Sequence, residues 1–226
     1  MFNKIFKATK LLHNLYFREK VFLSRKTYSM SGEDIVINNF FKNQNKGFFV
    51  DIGCYHPTRI NNTYLLYKKG WRGINVDLSD FAIDLFNFIR PKDENICTGI
   101  SKRKEIKTLY FQKEYSPLNT LDHKEALKRF QGRIKERKIE CNNINSILER
   151  SRFKNNNIDF LNIDTEGLDY EILISLDFNI YFPKLICIEN SEAYINYSNL
   201  IFFDFLKQKN YQHLWSGVFS HIFFHN

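Results

Sequence analysis

The sequence is poor in glycine and proline, with 9 and 4 residues among 226, and both common phosphate-binding patterns are absent from it. Neither GxGxxG, which cradles the pyrophosphate of a dinucleotide, nor GxxxxGK[ST] occurs. A nucleotide-dependent oxidoreductase would require the first of these glycine-rich turns. The sequence therefore does not indicate a pyrophosphate cradle and argues against that enzyme class.

Cysteine is also scarce, and no long apolar run is present near the beginning of the sequence. The four cysteines, Cys54, Cys97, Cys141 and Cys187, are widely separated and form no CxxC pair. This spacing argues against a zinc site or a disulfide framework and favours reduced thiols in a cytoplasmic protein. The first 26 residues lack the apolar stretch of a secretory signal and the roughly 20 apolar residues of a spanning helix.

The net charge of +8 is concentrated in two stretches. Residues 1–26 contain seven basic residues and one acidic residue, and residues 101–140 contain twelve basic and six acidic residues. Each stretch carries +6, which leaves the remainder of the chain mildly acidic. Because the basic residues do not run across the whole domain, we predict no nucleic-acid partner. The basic insertion near 113–140 could contact an anionic substrate, although the composition of residues 122–140 also favours a solvated helix.

Residues 1–26 form a separate N-terminal segment in this interpretation. Apolar residues recur at helical spacing from Phe2 to Phe17, with basic residues between them. A basic amphipathic helix of this kind can lie on an anionic membrane surface, at the inner face of the membrane. The alternative is a helix that packs on the core of the protein or on a partner.

Residues 27–226 form one predicted α/β domain. Its 43% apolar content, with 23 Phe, is sufficient for a buried core. The run Phe48–Val50 predicts a strand buried on both faces, and Asp51 is costly there unless something binds it. Gly53 then permits a tight turn where a ligand approaches. A carboxylate beside a single glycine suits a ligand with an amine or hydroxyls, of which S-adenosylmethionine is the commonest on such a sheet.

Three further predicted strands end on polar side chains. They lead to Asp77, to Asp164 and Glu166, and to Glu189 and Asn190. Ligands of open α/β sheets bind outside the carboxyl ends of the strands, so these side chains should converge on one rim. The carboxylate that ends the second strand of such a sheet can accept the ribose hydroxyls of a nucleotide-like ligand. Asp77 fits this position, and each of the others alone could be a turn residue.

Hydrophobic periodicity predicts the secondary structure along the chain. Strands alternate with helices, which predicts a mainly parallel sheet closed by an antiparallel hairpin. The predicted helices cover residues 4–20, 31–41, 60–69, 80–89, 143–152, 168–176 and 198–208. The predicted strands cover residues 47–53, 72–77, 94–100, 106–112, 158–164 and 184–189, with two more between 211 and 225.

Four blocks of the sequence resemble the FkbM family of S-adenosylmethionine-dependent methyltransferases. They are Tyr28–Asp34, Phe49–Pro57, Asn62–Asp77 and Ile163–Leu173. The resemblance implies a class I, Rossmann-like methyltransferase fold with a seven-stranded sheet. It also implies O-methylation, commonly of a sugar hydroxyl in a surface glycan, a glycolipid or a natural product.

The expected site residues follow from these strand ends and from the resemblance. We expect S-adenosylmethionine to be bound by Glu33, Asp51, Gly53, Asp77, Ser101 and Asp164. We expect the catalytic residues to be His56, Asp164 and Glu166, because a sugar hydroxyl needs a base. His56 could instead be a loop residue bonded to backbone.

Two alternatives to this function remain open from the sequence. Asp164, Glu189 and Asn190 offer oxygen ligands that suit Mg²⁺, although the resemblance itself requires no metal and we assign none. This alternative would be a Mg²⁺-dependent O-methyltransferase acting on small molecules. The second alternative is a catalytically inactive methyltransferase fold that acts as a binding subunit.

Overall fold

A computed structural model describes residues 2–190 and 201–225, with side chains described from residue 5 onwards. Its strands, in chain order, are β1 (Phe48–Ile52), β2 (Arg72–Asp77), β3 (Glu94–Cys97), β4 (Gly99–Ile100), β5 (Glu105–Phe111), β6 (Lys135–Asn142), β7 (Phe160–Ile163), β8 (Leu185–Glu189), β9 (Tyr211–Ser216) and β10 (Ser220–His225). Its helices are α1 (Phe2–Leu12), α2 (Glu33–Phe40), α3 (Tyr64–Lys68), α4 (Asp80–Ile89), α5 (His123–Arg129), α6 (Ile144–Arg150), α7 (Asp169–Ser175) and α8 (Ile201–Gln208), and a π-helix (His13–Arg18) follows α1.

Within the described residues, seven strands form the main sheet in the order β3-β2-β1-β7-β8-β10-β9. The pairs among β3, β2, β1, β7 and β8 are parallel, and β10 is antiparallel to both of its neighbours. This order and these directions are those of the class I methyltransferase fold, as predicted. The carboxyl ends of the parallel strands therefore meet at one edge of the sheet, where ligands of such folds bind.

The main sheet is buried on both faces. Along β1, Val50 and Ile52 pack in one apolar cluster with residues of α6 and α7, whereas Phe49 packs in another with Ile37 and Leu66. Side chains alternate between the faces of a strand, so a run of consecutive apolar residues needs cover on each side. Cover on both faces of the sheet thus accounts for the consecutive apolar residues Phe48–Val50 of β1.

After β3 the chain enters a second sheet, of three described strands in the order β4-β6-β5. The predicted single strand over 94–100 divides at Thr98, because β3 pairs with β2 and β4 pairs with β6. The helical prediction for residues 122–140 is wrong over its second half, since only α5 is helical and β6 follows it. Pairing of β6 with β5 along seven residue pairs overrides the helical propensity of its charged residues.

Several helix boundaries also differ from the predictions. The predicted helix 4–20 is α1 followed by the π-helix, and the predicted helix 60–69 is only α3. The N-cap of α2 is Gly32 in the left-handed conformation, with no side-chain cap. The predicted start of the last helix, at residue 198, lies outside the described residues.

The N-terminal segment contacts the α/β domain, and its buried contacts lie in its second half. Leu15 is fully buried, Asn14 Oδ1 lies 3.1 Å from His56 Nε2, and Glu19 forms an ion pair with Arg59. No helix among residues 2–190 and 201–225 is both long and apolar enough to cross a membrane. Residues 14–19 thus provide the buried part of the segment's attachment to the core.

Candidate active site

A cleft of about 910 Å³, partly open to solvent, lies at the carboxyl edge of the main sheet. Its floor is formed by the ends of β1, β2 and β7, and the second sheet and the insertion after β5 form its other wall through Leu109, Arg137 and residues 114–121. A smaller pocket of about 390 Å³ adjoins it. Both spaces are lined by Met30, Gly53, Ile60, Asp164 and Glu189.

Gly53 marks the closest approach of two strand ends. Its φ is +80°, and a Cβ atom at this position would overlap the carbonyl oxygen of Asp164. Only glycine fits this contact, since a side chain would also be strained at this φ. Gly53 lines the cleft, but the atoms that require a glycine at this position are those of the Asp164 backbone and not those of a ligand.

The Asp51 carboxylate is fully buried within β1, rather than at the strand's end. Its oxygens accept hydrogen bonds from Asn61 Nδ2 at 3.2 Å, Thr63 Oγ1 at 2.8 Å and Asn162 Nδ2 at 2.9 Å. Burial raises the pKa of Asp51, and these donors together with Arg90 oppose the shift. Side chains of the protein therefore offset much of the cost of this buried charge, while Asp51 still lines the smaller pocket.

Arg90, at the end of α4, is fully buried and organises the loop that surrounds Asp51. Its guanidinium donates to Thr63 Oγ1 at 2.8 Å, to Asn61 Oδ1 at 2.7 Å and to the carbonyl of Pro57 at 3.0 Å. None of the four residues Asn61, Thr63, Asn162 and Arg90 was predicted from the sequence. Thr63 lies in one of the four blocks that resemble the FkbM family, whereas Asn61 lies just outside it and Arg90 carried no local signal.

Asp77 ends β2 and lines the cleft, as predicted. Its Oδ2 accepts the backbone N–H of Tyr55 at 2.8 Å, and its Oδ1 accepts that of Ser79 at 2.8 Å. Burial raises the pKa of Asp77 to about 6. Each carboxylate oxygen can accept a second hydrogen bond, so the group can still receive the hydroxyls of a ligand.

Three carboxyl groups meet where the cleft joins the smaller pocket. Asp164, Glu166 and Glu189 each offer an oxygen, and these oxygens lie within 4.8 Å of one another. Burial and the neighbouring Glu189 raise the pKa of Asp164 well above its usual range. Burial and Asp169 raise the pKa of Glu189 to about 7. Glu189 Oε2 is buried without a hydrogen-bond partner in the described part of the chain.

Glu166 differs from the other two carboxylates because it is already paired with a cation. Arg129 of α5 forms an ion pair with the Glu166 carboxylate. The backbone of Glu166 has a φ of +58°. Its carbonyl accepts the Thr120 hydroxyl at 2.6 Å. Glu166 lines the cleft, and its contacts with Arg129 and Thr120 link the loop after β7 to the insertion.

Two predicted site residues are not among those that line the cleft or the smaller pocket. His56 is buried, and the Thr58 N–H donates to its Nδ1 at 3.2 Å while its Nε2 faces Asn14 Oδ1. Ser101 is buried, and its hydroxyl donates to the carbonyl of Arg103 at 2.6 Å. Glu33 does line the smaller pocket, and its Oε2 accepts the N–H of Ser31.

Comparison with known proteins identifies the family. The sequence model of the methyltransferase FkbM domain matches residues 51–213, which is more than half of the chain. The chain belongs to the FkbM methyltransferase family. A solved structure of a TehB-like SAM-dependent methyltransferase from Corynebacterium glutamicum is 11% identical, with 88% of this chain and 89% of that chain covered and a TM-score of 0.43. Among curated protein sequences, none matches this chain significantly.

Membership of the FkbM family implies S-adenosylmethionine as the cofactor, and the site suits its chemistry. The cofactor carries a cationic sulfonium and an ammonium group beside a ribose, and it supplies an activated methyl group when bound. The smaller pocket is lined by the carboxyl groups of Glu33, Asp51, Asp164 and Glu189, which would accept hydrogen bonds from the ammonium group and, where ionised, attract these cations. Asp77 would accept hydrogen bonds from the ribose hydroxyls, and Glu189 Oε2, which has no hydrogen-bond partner among the described residues, would be able to accept one from a bound molecule.

Proposed function

We propose that this S-adenosylmethionine-dependent methyltransferase methylates a hydroxyl group of a sugar in a surface glycan, glycolipid or similar metabolite. Asp164 and Glu189 carry the proposal, because both line the cleft and the smaller pocket at once. A group that receives a proton from the acceptor should lie where the cofactor pocket opens into the acceptor cleft.

The raised pKa values of Asp164 and Glu189 suit proton abstraction near neutral pH. A sugar hydroxyl does not ionise at neutral pH, so its attack on a methyl group requires a base. General bases work best when their pKa is near the working pH, and the pKa of Glu189 is raised to about 7. The close Asp164 carboxyl also disfavours simultaneous ionisation of both groups, so the pair can take up one proton.

The wall of the cleft offers a surface for a sugar ring. Tyr55 lines the cleft, and its ring stacks on that of Tyr115 with centroids 5.0 Å apart and an interplanar angle of 17°. Such a ring combines an apolar face with a polar edge, as does a pyranose. Asn119, Ser116 and Arg137 add hydrogen-bonding groups on the same wall.

Transfer from S-adenosylmethionine with a ¹³C-labelled methyl group would test this function. The protein would be incubated with nucleotide sugars and with lipid-linked glycans, and the products analysed by mass spectrometry and NMR. We expect a labelled methyl bonded to oxygen on a sugar carbon. A methyl on nitrogen or carbon would contradict the proposed acceptor, and binding of the cofactor without transfer to any acceptor would favour the inactive binding subunit.

Isosteric variants would test the role of the carboxyl pair. Asp164→Asn and Glu189→Gln should each lower the transfer rate by about 10²- to 10⁴-fold, the usual contribution of a general base. Glu149→Gln, on an exposed position of α6, is the matched control and should leave the rate unchanged. A normal rate in both cleft variants would remove the pair from the mechanism.

A Mg²⁺-dependent reaction on a small molecule is the second candidate. It is favoured by the three close carboxylates Asp164, Glu166 and Glu189, since Mg²⁺ prefers oxygen ligands. The ion pair of Arg129 with Glu166 acts against it, because a cation already neutralises one ligand. Chelation that stops turnover, with recovery on adding Mg²⁺, would support this candidate. Full activity after verified metal removal would exclude it.

A further inference from the structure

The N-terminal segment exposes large apolar side chains to solvent. Phe6, Phe17 and Phe22 are 73%, 75% and 65% exposed. The N-terminal surface, as we define it, consists of these three residues together with Ile5, Leu12, Tyr16 and Leu23. A soluble monomer rarely exposes so many large apolar side chains within one short segment, and such patches mark interaction sites.

The other side of the same segment is fixed to the methyltransferase domain. Lys7 forms an ion pair with Asp84 at 2.6 Å, and Lys10 Nζ lies 4.7 Å from the ring centroid of Phe81, both on α4. Further along, Leu15 is fully buried. Positions 7, 10 and 14–15 recur at helical spacing, so one side of the segment packs and the other remains exposed.

The charge of the segment is strongly positive. Residues 1–26 contain seven basic residues, whereas Glu19 is their one acidic residue. Arg59 from outside the segment pairs with Glu19, in addition to Arg18. The exposed apolar side chains therefore lie beside an excess of positive charge, to which Lys20, Arg25 and Lys26 contribute at exposed positions.

We propose that the N-terminal surface binds an anionic lipid bilayer, at the inner face of the membrane. Apolar side chains can enter the interface while basic residues contact the lipid headgroups. Each basic residue adds attraction to an anionic surface. A second copy of the chain is the other obvious occupant, but a symmetric contact would bring two faces of like charge together.

The loop after β1 connects this surface to the cleft. Tyr55 and Ile60 line the cleft, whereas His56 and Arg59 hold residues 14–19 of the segment. Met30 is 58% exposed and also lines the cleft and the smaller pocket. A bound bilayer would thus lie near the mouth of the cleft. If the proposed function holds, the acceptor is a glycan attached to a membrane lipid.

Co-sedimentation with vesicles of phosphatidylcholine, with or without phosphatidylglycerol, would test the proposal on the full chain. We expect binding to the anionic vesicles only, and release at high salt because exposed charges are screened. The triple variant Phe6→Ser, Phe17→Ser and Phe22→Ser should bind at least about tenfold more weakly. The variant Lys20→Glu with Lys26→Glu should also bind more weakly.

A matched control variant carries Ile180→Ser, Phe182→Ser and Ile201→Ser. These residues are 65%, 50% and 61% exposed, and they lie after α7 or on α8. The control should bind like the unchanged protein. Absence of binding, or equal binding by all variants, would overturn the proposal. A dimer in light scattering that the triple Phe variant dissociates, without vesicle binding, would assign the surface to a second copy.

The vesicle experiment is independent of methyl transfer. Calorimetry with S-adenosylmethionine on the same variants tests the cofactor site, which the N-terminal substitutions do not touch. Vesicle binding without transfer to any sugar would therefore refute only the proposed function. Transfer without vesicle binding would refute only the membrane surface.

Discussion

Arg90 donates from Nη1 to the Thr63 hydroxyl over 2.8 Å, and the same hydroxyl donates to Asp51 over 2.8 Å. A buried cation and a buried carboxylate are thus joined through one side chain. Asn61 makes a second such link, since it accepts from Arg90 and donates to Asp51. The position of the Asp51 carboxylate in the smaller pocket therefore depends on a residue at the far end of α4.

Replacing Arg90 by Leu should destabilise the protein and weaken cofactor binding. The change leaves the Asp51 charge without its buried counterion, and breaking such an arrangement costs about 3–5 kcal/mol. Urea unfolding would measure the loss, and calorimetry would measure the affinity for S-adenosylmethionine. The exposed Arg133→Leu is the control and should change neither. Normal stability of the Arg90 variant would mean that the network contributes little.

Replacing Gly53 by Ala should destabilise the protein through the contact with Asp164. The added Cβ would overlap the Asp164 carbonyl and must displace a strand end. Gly132→Ala is a matched control, because Gly132 has a similar φ of +86° but no atom of the described residues within 4 Å of an added Cβ. We expect about 1–2 kcal/mol from the backbone strain in the control and a larger loss at Gly53. Equal losses in urea unfolding would show that the contact relaxes without cost.

The fold could be predicted from local sequence patterns where these patterns and tertiary contacts agree. β2 and α4 have the predicted bounds, since Asp77 ends the strand and Ser79 caps the helix by accepting from Ala82. β6 could not be predicted, because its charged residues become a strand only through pairing with β5. That partner lies more than twenty residues away in the sequence.

The candidate site could be predicted where strand ends determine it. Asp77 and Asp164 follow or end strands and line the cleft. His56 and Ser101 also follow predicted strands, but both are buried, His56 beside Asn14 and Ser101 bonded to the carbonyl of Arg103. Whether a side chain after a strand faces the ligand or the core depends on loop geometry, which local sequence does not encode.

Replacing Asp77 by Ala should weaken cofactor binding by about 1.5–3 kcal/mol, the range for hydrogen bonds to a charged group. The reason is the loss of the acceptor at the end of β2. Calorimetry with S-adenosylmethionine would measure the effect. The variant Asp80→Ala, three residues along at the start of α4, serves as the control and should bind nearly normally. Unchanged affinity in the Asp77 variant would place the ribose elsewhere.

The stability of the protein without cofactor should fall as the pH rises from about 4.5 to about 7. In the folded protein the pKa of Glu189 is about 7, against 4.5 in its ordinary state, so the folded state holds a proton that the unfolded state loses. The full effect is on the order of 3 kcal/mol. Glu189→Gln should reduce this dependence, to which the raised pKa of Asp77 also contributes, and should be the more stable protein at pH 8. Urea unfolding at several pH values would measure the unfolding free energy of both proteins. If the two free energies changed with pH in the same way, the raised pKa of Glu189 would be contradicted.

Replacing His56 by Ala should lower stability more than activity. Burial and then the positive charge of Arg90 lower the pKa of His56 to about 3, so the ring is neutral near pH 7. Both ring nitrogens are engaged, because Thr58 N–H donates to one and Asn14 lies beside the other. We expect a loss of about 1–3 kcal/mol in unfolding free energy from the broken buried hydrogen bonds.

A double-mutant cycle with Asn14→Ala would separate the structural role of His56 from a catalytic one. Because the two side chains are in contact, their coupling energy should be about 0.5–3 kcal/mol in urea unfolding. The methyl-transfer rate of the folded His56 variant should stay within about tenfold of normal, whereas loss of a general base costs about 10²- to 10⁴-fold. A fall in the rate of about 10²- to 10⁴-fold, with normal stability and cofactor affinity, would identify His56 as the base. Since the imidazole holds residues 14–19 in place, its removal should also weaken vesicle binding by the N-terminal surface.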